Sequence, residues 1–303
     1  MTAGGAMKHF LVYANQYKDK DLVMSRRIAD FLKLKGKSVT VKGLESGAGA
    51  PKTAGREPNT VQPAGEEKGA GFPPDADCMI VLGGDGTVLQ AVRETKARQI
   101  PIIGVNLGTL GYMTEIEPSH LEESLERLLE GDYTRERRMM LGGRMQFSDG
   151  TVREGWALND IVISRSGSLQ IIRFHIYVNG QFLNRYHADG MIVTTPTGST
   201  GYNLSAGGPL VEPGAELIML TPICPHSLNQ RSIILSPEDK IEIEIPECRE
   251  GRPQTVEVNF DGSGGIPLRT GDKIRIARSE EVTEFIRLNQ VSFLDVLHRK
   301  MEE

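Results

Sequence analysis

The passage from Cys78 to Thr87 limits the fold most: CMIVL runs into GGDGT, and Val88, Leu89 and Val92 are spaced as a helix beyond it. A continuous apolar strand, a turn without side chains and a helix make half of a βαβ unit. Strands of that kind belong to parallel sheets covered by helices. Ile100–Val105 is a second strand of this type. Upstream, Lys8–Ala14 and Val39–Val41 flank a helix with Met24, Ile28, Phe31 and Leu32 on one face and a stop at Gly36. Downstream, Pro118 opens a helix with Leu121, Leu125, Leu128 and Leu129 on its apolar stripe.

Past residue 134 the hydrophobic period changes from helical to alternating. Strands are expected over Met139–Phe147, Ala157–Ser164, Ile171–Val178, Phe182–His187, Met191–Thr195, Ser232–Leu235, Lys240–Ile245, Thr255–Phe260 and Lys273–Ala277. Asn179-Gly180 is a hairpin turn signal. Val291–Met301 reads as helical again. The fold class is therefore an α/β N-terminal domain with a parallel, Rossmann-like sheet, 7–134, and a mostly antiparallel all-β C-terminal domain, 135–279. A C-terminal segment, 280–303, carries a helix expected to return to the first domain. Residues 46–71 are rich in Gly, Ala, Pro, Lys and Glu with almost no large apolar side chain, and are expected to form a mobile loop.

Glycine is in excess, 34 of 303 residues, about 11% against a usual ~7%. A formal charge of −5 argues against a nucleic-acid partner, which needs a basic surface. No apolar run approaches the ~20 residues that span a bilayer, so no membrane partner is expected. Cys78, Cys224 and Cys248 are too scattered for a disulfide framework or a zinc site, which fits a reducing, cytoplasmic location. Neither a metal-spaced His, Cys and carboxylate cluster nor a GxSxG elbow occurs.

Gly83-Gly84-Asp85-Gly86-Thr87 falls at the carboxyl edge of the sheet, where a helix N-terminus presents free N–H groups to phosphate. Asp85 is out of place beside phosphate unless it holds a cation or takes a proton from an attacking hydroxyl. Without a ligand it would be a helix cap in a tight turn. The loop has neither the Lys of a Walker A motif nor the GxGxxG spacing. Asn106–Tyr112 (NLGTLGY) opens on the same edge. Asn159-Asp160 precedes an apolar strand. There an Asn can serve both a donor and an acceptor of an adenine edge and a carboxylate can hold ribose hydroxyls, although an Asx turn reads equally well. Asp189-Gly190 leads into Thr195–Pro209 (TPTGSTGYNLSAGGP), too polar for core and too rich in shaped residues for a linker.

Together these pieces, GGDGT, NLGTLGYMTE, ALND (Ala157–Asp160) and DGMIVTTPTGSTGYNLSAGGP (Asp189–Pro209), resemble the NAD kinases of the bacterial type, in the family's order and over about Lys8–Leu297. The resemblance implies transfer of the γ-phosphoryl of ATP, or in some members of inorganic polyphosphate, to the 2′-hydroxyl of the adenosine ribose of NAD. The product is NADP, and a divalent cation, Mg2+ or Mn2+, takes part without any prosthetic group. It implies Asp85 as general base and Gly83, Gly84, Gly86 and Thr87 as the phosphate-donor loop. It also implies that Asp85, Gly86, Asn159, Asp160, Gln170, His187, Asp189, Thr200, Gly201, Tyr202, Asn203, Leu204 and Ser205 face NAD, and that the chain is a homodimer or homotetramer. Two departures stand out. Gly201 replaces the family's usual Ala, which is expected to loosen its loop, and Asp261-Gly262-Ser263 replaces the more frequent Asp-Gly-Gln.

Two other classes share part of this pattern. A lipid kinase of the diacylglycerol type has the GGDGT loop but no need of Asp189–Pro209 in this form. A sensor that only binds NAD or NADP gains nothing from Asp85 beside phosphates.

Overall fold

The computed structural model describes residues 7–43, 72–73, 75–95, 99–109, 111–167, 171–226, 231–247, 251–288 and 292–302. The expected loop 46–71 lies outside them. The chain forms two compact units, Met1–Glu136 with Glu284–Glu303, and Arg137–Thr283.

In the first unit, β1 (His9–Ala14), β2 (Ser38–Gly43), β3 (Cys78–Gly83) and β4 (Ile102–Asn106) lie parallel in the order β2-β1-β3-β4. The chain leaves β1 through α1 (Val23–Leu34) toward β2 on one side and leaves β3 through α2 (Asp85–Thr95) toward β4 on the other. The carboxyl ends of β1 and β3 are thus the point where the winding reverses, the place where open α/β sheets bind ligands. Phe10, Val12, Ile80, Leu82, Ile103 and Val105 pack against Ile28 and Leu32 of α1 and Leu121, Leu125 and Leu128 of α3 (Leu121–Glu130). Each of these apolar side chains contributes about 1.5–3 kcal/mol by leaving water. The helix expected from Pro118 begins instead with a 3-10 turn, Pro118–His120, and ends at Gly131 with φ 80°.

The second unit is two antiparallel sheets around one core. β5 (Thr134–Gln146) leads into it and pairs with β6 (Val152–Ala157). One sheet carries β8 (Ile172–Val178), β9 (Gln181–Ala188), β13 (Ile241–Glu244) and the start of β16 (Lys273–Arg287), in the order β16-β13-β8-β9. Asn179 and Gly180, both at positive φ, turn β8 into β9 as their sequence requires. The other sheet runs β12-β11-β10-β7-β14-β15. Its strands are β7 (Asp160–Arg165), β10 (Gly190–Thr194), β11 (Ile218–Ile223), β12 (Ile233–Leu235), β14 (Thr255–Phe260) and β15 (Ser263–Arg269). Phe174, Ile176, Ile241 and Ile243 from one sheet meet Ile161, Ile163, Met191, Val193 and Val258 from the other in a single buried cluster.

Three strand expectations need correction. Ala157–Ser164 is two strands broken at Leu158-Asn159, because Asp261 draws the backbone there into a turn. β6, of which only Ala157 falls in that expected strand, β11 and β15 were not expected, and β16 runs on to Arg287 rather than stopping at Ala277. Its last residues lie in the first unit, where Phe285 pairs in parallel with Ile102 of β4. In the same unit, α5 (Phe293–Met301) starts with a capping box between Ser292 and Asp295. It sets Phe293 5.9 Å from the Tyr112 ring and Lys300 5.1 Å above that ring.

Candidate active site

The first unit gathers three loops at the carboxyl ends of β1, β3 and β4. Their backbones are tied together: Asn15 N–H donates to the Leu82 carbonyl, and Leu107 N–H to the Gly83 carbonyl. Asp85 opens α2, and its two carboxylate oxygens accept the Tyr112 amide at 2.9 Å and the Met113 amide at 3.0 Å. Each oxygen keeps a further lone pair for a proton or a cation. The half-buried Asp85 is therefore aimed by the NLGTLGY loop as well as by its own helix. A Cβ on Gly111 would stand 2.2 Å from Asp85 Oδ1, so only glycine lets that loop come so close. Burial and the Asp85 charge push the Tyr112 hydroxyl above its ordinary range. Gly83 packs against Thr87, whose Oγ1 a Cβ would meet at 2.2 Å, while among the described residues outside its own helix nothing lies within 4 Å of the Cβ position at Gly86.

The second unit carries the remaining described residues of the expected site. Asp261, at φ 48°, accepts the amides of Leu158, Asn159 and Asp160 at 2.8, 2.8 and 3.1 Å. That holds the ALND turn open. The Asn159 carbonyl accepts from the Thr195 amide and the Thr194 hydroxyl, both at 2.9 Å, and Gly198 packs onto the same carbonyl, 2.5 Å from its Cβ position. Asn159 Oδ1 is buried with no hydrogen-bond partner among the described residues, an acceptor left waiting for a donor. Asp160 is buried, and desolvation together with the Asp261 charge pushes its carboxyl up to about 7.

The Thr195–Pro209 segment folds as a 3-10 turn, Thr197–Thr200, and α4 (Tyr202–Ser205). Asn203 is fully buried: its Nδ2 donates to the carbonyls of Ser199 and Pro209, and its Oδ1 accepts from the Thr221 hydroxyl. Tyr202, Leu204 and Ser205 are exposed beside it and Thr200 is half-buried. The buried Arg138 guanidinium donates to Thr197 Oγ1 at 3.2 Å from beneath the loop, a support that sequence did not single out. Asp189 is 3.5 Å from Arg165 at the entry to β10. His187 is an exposed residue of β9, opposite Arg173, and Gln170 lies outside the described residues. Among the described residues no group of three or more His, Cys, Asp or Glu could hold a metal ion. No helix among them is long and apolar enough to cross a membrane.

A parallel α/β unit with glycine loops and a carboxylate at its switch point, followed by a β unit with a long polar loop, fits the class of nucleotide-dependent phosphotransferases. Family models agree: "ATP-NAD kinase N-terminal domain" matches residues 10–133 and "ATP-NAD kinase C-terminal domain" residues 158–288. An NAD kinase of Lachnospira eligens is 45% identical over 304 residues, covering 97% of this chain and all of the relative. One of Agathobacter rectalis is 44% identical over 97% of this chain and 99% of its own. Among solved structures, an Archaeoglobus fulgidus NAD kinase in complex with ATP superposes with TM-score 0.72 at 28% identity, over 98% of this chain and all of that one. The yeast NADH kinase complexed with NADH shares the fold at TM-score 0.82 and 24% identity, over 98% and 88% of the two chains. The chain belongs to the NAD kinase family.

Proposed function

We propose that this chain phosphorylates the 2′-hydroxyl of the adenosine ribose of NAD with ATP, yielding NADP and ADP. The observation that carries the reading is Asp85, a carboxylate fixed by two backbone amides at the mouth of a phosphate-type loop. A site that only bound phosphates would be weakened by that anion. As general base, Asp85 takes the hydroxyl proton while the ribose oxygen attacks the γ-phosphorus in line and the bond to the ADP oxygen breaks. The Gly86 amide at the start of α2 would meet the donor phosphates, while the Thr87 amide donates to the Gly84 carbonyl at 2.8 Å and the Gly84 amide reaches Thr87 Oγ1 at 3.5 Å, so Gly84 and Thr87 shape the turn. A divalent cation, when bound, would neutralise charge on those phosphates. Such a cation needs only one or two protein carboxylates beside the phosphates themselves, and Asp85 retains lone pairs for that role.

In the second unit, Asn159 Oδ1 would accept from the adenine amine, and Asp160, Asp189, Thr200, Gly201, Tyr202, Leu204 and Ser205 would line the dinucleotide. Asn203 would act by holding their loop in shape. His187 and Gln170 are proposed contacts of the same kind. The reading extends to a cytoplasmic homodimer or homotetramer, which light scattering of the purified protein decides.

Replacing Asp85 by Asn keeps the size and removes the base, at the cost of one of the two amide contacts that hold the carboxylate. NADP formation should fall about 10²–10⁴-fold while NAD binding measured by calorimetry is retained. Unchanged turnover would remove Asp85 from the role.

A further inference from the structure

The carboxyl edge of the first unit contains a cation that its phosphate-loop sequence lacks. Lys18 lies in the loop after β1, more than sixty residues before GGDGT. That loop folds back on itself: the amides of Lys18 and Asp19 both donate to the Asn15 carbonyl, and Asn15 Oδ1 accepts from the Tyr17 amide. Asn15 Nδ2 reaches across to Thr87 Oγ1 at 3.4 Å. The result places Lys18 Nζ over both other loops. A Cβ built on Gly84 or on Gly108 would stand 3.0 Å from Nζ, and among the described residues, chain neighbours aside, Lys18 is the one that such a Cβ would meet within 4 Å. Neither glycine has positive φ, so turn geometry does not require them. What they provide is space for the ammonium against bare backbone.

Lys18 is exposed and, among the described residues, no carboxylate lies within ion-pair distance of it. Its neighbour Asp19 is buried and occupied elsewhere, accepting from the amides of Met24 and Ser25 and the Ser25 hydroxyl. An ammonium with no anion paired to it among the described residues, set between the bare backbones of Gly84 and Gly108 at the switch point of an α/β sheet, matches the terminal phosphates of a phosphoryl donor.

We propose that Lys18 binds the terminal phosphate oxygens of the donor, ATP or inorganic polyphosphate, as the point charge that a Walker-type lysine supplies from within its own loop. The assignment rests on the donor-loop reading above and deepens it. Lys18 and the Gly86 amide at the start of α2 then grip the donor from two loops, and charge developing on the leaving phosphate has a cation beside it.

The test compares wild type, Lys18→Met and Lys18→Arg in titrations with ATP, inorganic tripolyphosphate, AMP and NAD, alongside steady-state NADP formation. Lys18→Met should weaken ATP and tripolyphosphate binding roughly ten- to a hundredfold, leave AMP and NAD unchanged, and raise KM for ATP but not for NAD. Lys18→Arg, which keeps the charge, should recover part of the loss. Equal tripolyphosphate affinity in wild type and Lys18→Met, or a parallel loss for NAD, overturns the assignment. Tripolyphosphate binding reads Lys18 without any turnover. A wild-type chain that made no NADP yet bound tripolyphosphate through Lys18 would refute the acceptor reading and support the phosphate one.

Discussion

Gly111 and Gly201 show how single positions set the tolerance of the site. A Cβ at 111 collides with Asp85 Oδ1 at 2.2 Å and Thr114 Oγ1 at 2.8 Å, whereas at 201 it would make ordinary contacts, 3.4 Å from the Gly198 carbonyl and 3.5 Å from Asn159 Nδ2. Gly111→Ala must therefore push the base or its loop aside and should lower kcat at least tenfold, about the cost of 1.4 kcal/mol in the barrier. Gly201→Ala, which restores the residue usual in the family, should leave kcat within about twofold and stabilise the chain by ~0.4–1 kcal/mol through the unfolded state. Parallel rate assays and urea melts check both. Asp160 adds a pH signature. With its carboxyl raised from 3.8 to about 7 in the fold, the folded state holds an extra proton between those values, so stability falls as pH rises through that window and is level above it. Denaturant midpoints from pH 5 to 8 should show this slope in wild type and lose it in Asp160→Asn; the same slope in both would contradict the assignment.

Among the elements, those that hold the site through local pattern were legible in the sequence. β3, the glycine turn and α2 announce themselves as a buried run, a bare turn and a helical stripe. β11 and β15 did not, since Pro222 and Pro267 sit inside them. Both are placed where a missing N–H does little harm: β15 is the last strand of its sheet, and Pro222 lies past Leu220, where the pairing of β11 with β12 ends. The break within Ala157–Ser164 was illegible for a different reason, because its cause lies a hundred residues away. Asp261 caps three amides of the turn, and Asp261→Ala should strand them and destabilise the chain by roughly 3 kcal/mol, with KM for NAD raised. Urea unfolding with NAD titration measures both effects. Lys18 was missed likewise: nothing in QYKDK marks a residue that the switch-point topology delivers to another loop.

At the scale of the whole molecule, the two units divide the chemistry by what their architectures expose. A parallel sheet concentrates helix N-termini and glycine loops at one edge, which suits phosphate and a base; an antiparallel sandwich offers a long polar loop and a capped turn, which suit the flat, hydrogen-bonding adenosine end of a dinucleotide. The proposed reaction draws on both, and the first alone would not separate this chain from a lipid kinase with the same GGDGT loop, whereas the Asp189–Pro209 segment of the second does. The deciding measurement is therefore the identity of the phosphorylated product when the purified chain receives ATP, Mg2+ and a mixture of NAD and diacylglycerol. The account predicts NADP carrying phosphate on the 2′-oxygen of the adenosine ribose and no phosphorylated lipid; phosphate on the lipid with NAD left intact would contradict it.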